Sequence, residues 1–170
     1  MNADELRSKQ APLKDQYREH PETASVTLRA EGCMGEAVTC KLETGRALVE
    51  AGLHPAAGGN GLSACSGDML LQALVACAGV TLGAVATSLA IPLRDAKIRV
   101  EGDLDFRGTL AVSKDVPVGF RRIRLYFDLD TDAPEEQLET LCRLTERYCV
   151  VYQTLASSPR IDVEHRVISR

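Results

Sequence analysis

The sequence predicts an α+β fold, an antiparallel sheet system with helices against one face. Three observations carry that prediction. Short runs alternate apolar and polar residues with period two. Two longer runs, at about 67–90 and 132–155, carry apolar residues at helical spacing. The order is three strands, a helix, two strands, a second helical region and a last strand, with no internal repeat. That order does not suit a βαβ parallel sheet.

The elements follow in chain order. A polar arm, residues 1–22, is interrupted by Pro12 and holds at most a short surface helix. A single domain follows over 23–170, a size that suits one core. Val26, Leu28 and Ala30 form one alternating run, Val38, Cys40 and Leu42 a second, Ala47 and Val49 a third. These predict three short antiparallel strands with turns at 32–35 and 44–45. Residues 52–67 read as a loop. Its Gly58, Gly59 and Gly61 lack a following GK[ST], so the segment reads as a connector and not a phosphate loop. A helix is predicted over 67–90, capped by Ser66 or Asp68 and closed by Pro92. Ile98, Val100, Gly102, Leu104 and Phe106 predict one strand, and Ile123, Leu125, Phe127 and Leu129 another. Thr131 or Asp132 caps the second helix, with Pro134 in its first turn and Glu135 and Glu136 complementing its dipole. Leu138, Leu141, Leu144 and Tyr148 share its apolar face. A short helical run continues past Cys149, and Ile161, Val163 and Val167 predict a final strand.

Composition narrows the function classes. Apolar residues make up 45% of the chain and aromatics only 4%, so the core is aliphatic. The net charge of −4 and the lack of a basic patch argue against nucleic acid as a partner. The 67–90 helix is apolar nearly all round, but rich in Ala and Gly and without charged flanks. It reads as a buried central helix and not a membrane span. One sheet cannot cover all its sides, which predicts an obligate homodimer. The N-terminus has no apolar signal-like run, and the six cysteines are too helix-embedded for a secreted disulfide framework. Both point to a reducing cytoplasm.

The cysteines carry the chemistry. Cys77 lies in SGDMLLQALVACAGVTL and Cys149 in LTERYCVVYQTL, each in an apolar helix-like run. No CxxC or CxxxH is present, and no spacing supports a metal site. Such a pair is either inert packing or a peroxide-reducing dithiol. A peroxidatic thiol must be a thiolate, and burial alone raises a thiol's pKa. No charge lies within a turn of Cys77 on its own helix, so activation calls for a cation from elsewhere. Arg29 and Arg46 are the candidates, and Asp68 is an acidic residue able to orient one of them. Cys33, Cys40, Cys65 and Cys142 read as small core residues or incidental thiols.

The two cysteine segments, in this order and among these elements, resemble the OsmC/Ohr family, the osmotically inducible and organic hydroperoxide resistance proteins. The resemblance spans roughly residues 24–168. It implies an intertwined α+β homodimer with active sites at the subunit interface. It also implies a thiol peroxidase acting on organic hydroperoxides with no metal, flavin or other cofactor. Carried over, Cys77 is the peroxidatic cysteine and Cys149 the resolving cysteine. A sulfenic acid on Cys77 would condense to a Cys77–Cys149 disulfide, restored by a dithiol reductant of lipoyl type. Arg29, with Arg46 in reserve, would activate Cys77, with Asp68 as its carboxylate partner. Active family members place a Glu ten residues before the first cysteine, where Gly67 stands here, and often a Pro after the second, where Val150 stands. These departures define the alternative, a non-catalytic dimer of the same fold that binds small molecules or serves in stress.

Overall fold

The computed structural model describes residues 2–5, 8, 10–11, 19–20, 31–34, 39–43, 48–111 and 113–168, with 31–34, 39–43 and 48 described by their backbone. The N-terminal alternating runs become a four-stranded sheet in the order β1 (Glu31–Met34), β2 (Thr39–Glu43), β3 (Leu48–Gly52) and β4 (Ala64–Cys65). The first two pairings are antiparallel, while β4 joins β3 in parallel. The turn expected at 32–35 is therefore a strand through Met34, with Gly32 opposite Leu42 and Cys33 opposite Lys41. The run at 26–30 and the turn at 44–45 lie outside the described residues. Cys33 and Cys65, expected in loops, lie in strands. The glycines of the connecting segment have geometric causes. Gly58 ends a 3₁₀ turn at Pro55–Ala57 with φ 90°, and a Cβ on Gly59 would sit 1.7 Å from the Leu53 carbonyl oxygen.

The long helix, α1, runs Ser66–Ser88. Neither Ser66 nor Asp68 caps it: the cap position is Cys65, with no side-chain bond to the helix. By length and composition α1 could cross a membrane. In the fold one stripe of it is packed against protein. Leu74, Ala78, Leu82 and Ala86, each four residues apart, are buried. Leu70, Ala73, Ala76, Val80 and Gly83 are exposed, Val80 at 77%. One chain covers one face of α1 and leaves the others exposed.

Strand β5 (Asp95–Asp103) pairs antiparallel with β6 (Arg122–Asp130) as a separate two-stranded sheet. Alternation sets its faces. Ile98 opposes Phe127, Val100 opposes Leu125 and Gly102 opposes Ile123 on the side toward α1. The outer side carries ion pairs such as Arg124 with Glu101 and Asp103, and Arg99 with Asp128. The alternating pattern continues to Phe106, but the strand does not. Asp105 accepts a hydrogen bond from the Arg107 amide and starts a short helix, α2 (Phe106–Thr109).

Two helices complete the chain, α3 (Glu135–Tyr148) and α4 (Val150–Ala156). Pro134 occupies the cap position of α3 without a side-chain bond, and Thr131 instead receives the Ala133 amide. The buried positions Leu141, Thr145 and Cys149 follow one another at four-residue spacing. Tyr148, expected on the apolar face, is 59% exposed with the Arg147 guanidinium over its ring. The expected last strand does not form. Residues 157–168 pair with none of the described strands, and Ile161, Val163 and Val167 are more than 80% exposed. Alternation supplies the side-chain pattern of a strand, but pairing also needs a free edge within reach.

The core has two parts along α1. Leu82, Ala86, Ile91 and Leu141 form one, and Leu74, Ala78 and Cys149 the other. The second holds the thiols.

Candidate active site

Cys77 lies at the border between the buried and exposed faces of α1, half-buried. Cys149 lies 0% exposed at the break between α3 and α4. It is not inside a helix, as its apolar surroundings suggested. With φ −73° and ψ 108° it is both the last cap of α3 and the first cap of α4. The Tyr152 amide donates to its sulfur at 3.5 Å, the bond an N-cap side chain makes to the third helical residue. The break turns α4 back across α1, and Cys77 packs into the cluster that encloses Cys149. Both are free thiols.

The first amides of a helix have no partner inside it and carry its positive dipole end. Here those amides face Cys77. Burial pushes the Cys77 thiol up. The Val151 amide, the Cys149 thiol, the Val150 amide and the Thr81 hydroxyl together outweigh burial and hold it below the ordinary thiol range. Cys149 moves the other way. Burial raises it, the Tyr152 amide draws it partly back, and a charged Cys77 raises it further. The pair is therefore asymmetric. Cys77 is partly accessible and the more acidic, while Cys149 is enclosed and stays protonated, able to donate to its neighbour. Low thiol pKa and access are what make a cysteine nucleophilic.

A cavity of about 500 Å³ adjoins the pair. Leu74, Ile123, Leu125, Phe127, Tyr152 and Leu155 belong both to its wall and to the cluster around the two cysteines. Arg121, Arg122 and Glu146 supply polar groups to its lining. Its lining mixes aliphatic side chains with the aromatic rings of Phe120, Phe127 and Tyr152 and with these charged groups; it is walled by the side chains around the two cysteines and not by the cysteines themselves.

The other predicted site residues fall elsewhere. Arg29 and Arg46 lie outside the described residues. Among the described residues the groups that lower the Cys77 thiol are all neutral. Asp68 is in the first turn of α1, nine residues before Cys77. That is about two and a half turns, roughly 14 Å along the axis and on the opposite side of the helix. It lines a separate cavity of about 200 Å³ with His54, Cys65, Leu71, Leu104, Phe106 and Phe120. The single chain does not bring Asp68 to Cys77. Burial and the nearby Glu146 and Glu135 carboxylates push the Cys142 thiol, on α3, above the ordinary thiol range. No three His, Cys, Asp or Glu side chains among the described residues converge to hold a metal ion.

Three contributors were not legible as such in the sequence: the Val150 and Val151 amides and the Thr81 hydroxyl. Backbone donors leave no residue-type signal. The available hint was the position of Cys149 directly before a new helical run, where a cap residue belongs.

The fold is an α+β domain in which Cys77, on the long helix α1, packs into the cluster around Cys149, at the break between α3 and α4. The chain belongs to the OsmC-like protein family, whose profile matches residues 58–164. Solved structures share the fold. An OsmC-like protein from Mycoplasma pneumoniae superposes with a TM-score of 0.67 at 16% identity, covering 79% of this chain and 90% of that one. An organic hydroperoxide resistance protein from Elizabethkingia anophelis gives 0.64 at 15%, covering 79% and 91%. The organic hydroperoxide resistance protein OhrB of Bacillus subtilis gives 0.53 at 20%, covering 78% and 93%. No curated protein matches the chain by sequence.

Proposed function

We propose that this chain is a thiol peroxidase that reduces organic hydroperoxides, acting as a homodimer in the cytoplasm. The observation that carries the reading is the meeting of Cys77 and Cys149 with opposite acidities. The Cys77 thiolate attacks the terminal peroxide oxygen. An S–O bond forms, the O–O bond breaks, and the departing alkoxide takes up a proton to leave as the alcohol. Cys77 is then a sulfenic acid, oxidised by two electrons. The Cys149 sulfur attacks it, an S–S bond forms, and the sulfenic oxygen leaves as water with the Cys149 proton. A dithiol of lipoyl type reverses the disulfide by exchange and is itself oxidised to a disulfide. The apolar side chains packed around the pair, Leu74, Val100, Ile123 and Leu125 among them, suit an apolar hydroperoxide better than a highly charged one. The exposed apolar face of α1 and the unpaired segment 157–168 support a second copy as the missing cover.

The test is mass spectrometry with peptide mapping after one equivalent of cumene hydroperoxide. A Cys77–Cys149 disulfide, formed quickly and reversed by a dithiol, is the expected result. Unmodified thiols would sink the peroxidase reading and leave the non-catalytic binding dimer, which the glycine at position 67 and the far-side placement of Asp68 favour.

A further inference from the structure

His54 closes the connector between β3 and α1 with a bond that only its neutral form can make. Its Nδ1 accepts from the Ala56 amide at 3.0 Å and caps the 3₁₀ turn Pro55–Ala57. A neutral imidazole has one nitrogen that donates and one that accepts, while an imidazolium has two donors and no acceptor. With Nδ1 accepting, the proton of the neutral ring sits on Nε2. A second proton would set two N–H groups against each other at Ala56. The other amides of the turn do not use the side chain. Ala57 and Gly59 donate to the His54 carbonyl oxygen, and Gly58 to that of Pro55.

The ring is held from its other side. It stacks on Phe106 of α2, with centroids 5.0 Å apart and an interplanar angle of 22°. A charge on the ring preserves this contact, because an aromatic face attracts cations. The same residues border two adjoining cavities of about 200 and 370 Å³, which share His54, Cys65, Leu104, Phe106 and Phe120 in their walls. Ala57, in the turn, belongs to the wall of the larger one. Cys65 is a free, half-buried thiol. Cys65 and Asp68 face the ring across the smaller cavity from the start of α1. On α2, Asp105 and Arg107 flank Phe106 and pair with each other at 2.6 Å, and Arg121 also reaches Asp105.

We propose that His54 is a proton-operated latch over these cavities. Neutral, it holds the Pro55–Ala57 turn against α2 and keeps Cys65 partly covered. Protonated, it stays on Phe106 but releases the Ala56 amide, so the turn loosens from the ring and Cys65 opens to solutes. Histidine is the side chain suited to this, since it changes charge near neutral pH. The latch lies apart from Cys77 and Cys149 and does not rest on their chemistry.

The experiment labels the protein with a pyridyl disulfide at pH 5.5 and pH 8.5 and measures the rate at Cys65 by peptide mapping. His54→Asn keeps a capping acceptor that does not titrate, and His54→Ala removes it. The three proteins are compared at each pH, so the thiol's own pH dependence cancels. At pH 8.5 the parent is expected to label as slowly as His54→Asn. At pH 5.5 it is expected to label about fivefold faster than His54→Asn, as His54→Ala does, a ratio equivalent to one helix cap. In the parent, the Ala56 amide resonance is expected to follow the His54 ring protons with a single midpoint, a readout that needs no variant. A parent that tracks His54→Asn at both pH values overturns the proposal. So does an Ala56 resonance that does not move with the His54 ring. If His54→Asn also matches His54→Ala at pH 5.5, another acid such as Asp68 works the opening and the latch is refuted.

Discussion

Cys149 has three jobs in this structure, and two substitutions separate them. It is the partner for a disulfide, the cap of α4 through the Tyr152 amide, and a donor to Cys77. Cys149→Ala removes all three. Cys149→Ser removes only the first, because a serine hydroxyl accepts from the third helical amide at least as well as a sulfur does and still carries a proton to donate. Losing a cap costs about 1 kcal/mol. Deleting the sulfur from a site with 0% exposure leaves a void of roughly methyl size, worth about another 1 kcal/mol. The expected sum for Cys149→Ala is about 2 kcal/mol. For a chain of this length that corresponds to a fall in Tm of about 4–8 °C. The serine variant is expected within about 2 °C of the parent. The two should also differ at Cys77. Its labelling midpoint rises in the alanine variant, by about one pH unit, and holds in the serine variant. Scanning calorimetry and pH-dependent alkylation check both halves. Equal losses of Tm in the two variants would refute the capping argument. Equal midpoint shifts would refute the thiol-to-thiol donor. With one equivalent of hydroperoxide both variants should accumulate a Cys77 sulfenic acid that dimedone traps, since neither can close the disulfide.

Four further outcomes follow. Leu141→Ala empties a fully buried site packed against Leu82, Ala86 and Ile91, and is expected to cost about 2–5 kcal/mol in chemical denaturation with the Cys77 midpoint unmoved. Asp68→Asn is expected to leave Cys77 labelling unchanged across the pH range, because Asp68 lies on the other side of α1; a shift of half a unit or more would show that Asp68 reaches the thiol after all. Val80→Glu puts a charge in the exposed apolar face of α1, and light scattering is expected to give a dimer for the parent and a monomer for the variant. Cys77 also gives stability a pH dependence with a definite sign. Its folded value is lowered, so its contribution is present above the unfolded thiol value of about 8.5 and is lost as pH falls through the folded value. The parent should gain Tm relative to Cys77→Ser between pH 6 and pH 9, and a constant difference would show that the thiol is not stabilised as its thiolate.

The parts of this fold that rest on side-chain periodicity were open to reading from residues alone. β5 and β6 place Ile98, Val100, Leu125 and Phe127 where alternation requires, and α1 occupies nearly the range its apolar run predicts. What failed was what periodicity does not encode. Asp105 ends an alternating pattern by capping a new helix. The segment around Ile161 and Val163 has a strand's pattern but pairs with none of the described strands. The glycines are a middle case. Gly102 was counted as one more inward position of β5, but a Cβ there would lie 2.5 Å from the Phe120 ring, so the strand uses glycine to seat that ring. At the site, both cysteines were identifiable by type and setting. The source of activation was not, because amides are present at every residue and only the chain's path decides which of them point at a sulfur.

That path explains how the groups that lower Cys77 among the described residues come to be neutral ones. A guanidinium would have to give up hydration to enter the apolar cluster of Leu74, Val100 and Leu125, a cost that falls on the fold whether or not the thiol is ionised. Amides at a helix start have already left their own ladder unpaired, and aiming them at a sulfur satisfies them. The two Val side chains after Cys149 fit the same scheme. Val151 packs into the cluster while Val150 is exposed, which fixes the first turn of α4 with its amides toward α1. Activation by such dipoles is weaker per donor than by a buried cation, so it requires several converging on one atom. Among the described residues the groups that lower the Cys77 thiol are the Val151 amide, the Cys149 thiol, the Val150 amide and the Thr81 hydroxyl. Deleting any one is therefore expected to move the Cys77 midpoint without abolishing thiolate formation. Shifting α4 as a unit, for example with a proline at Val151 that removes one amide and displaces the next, should cost far more than any single side-chain donor.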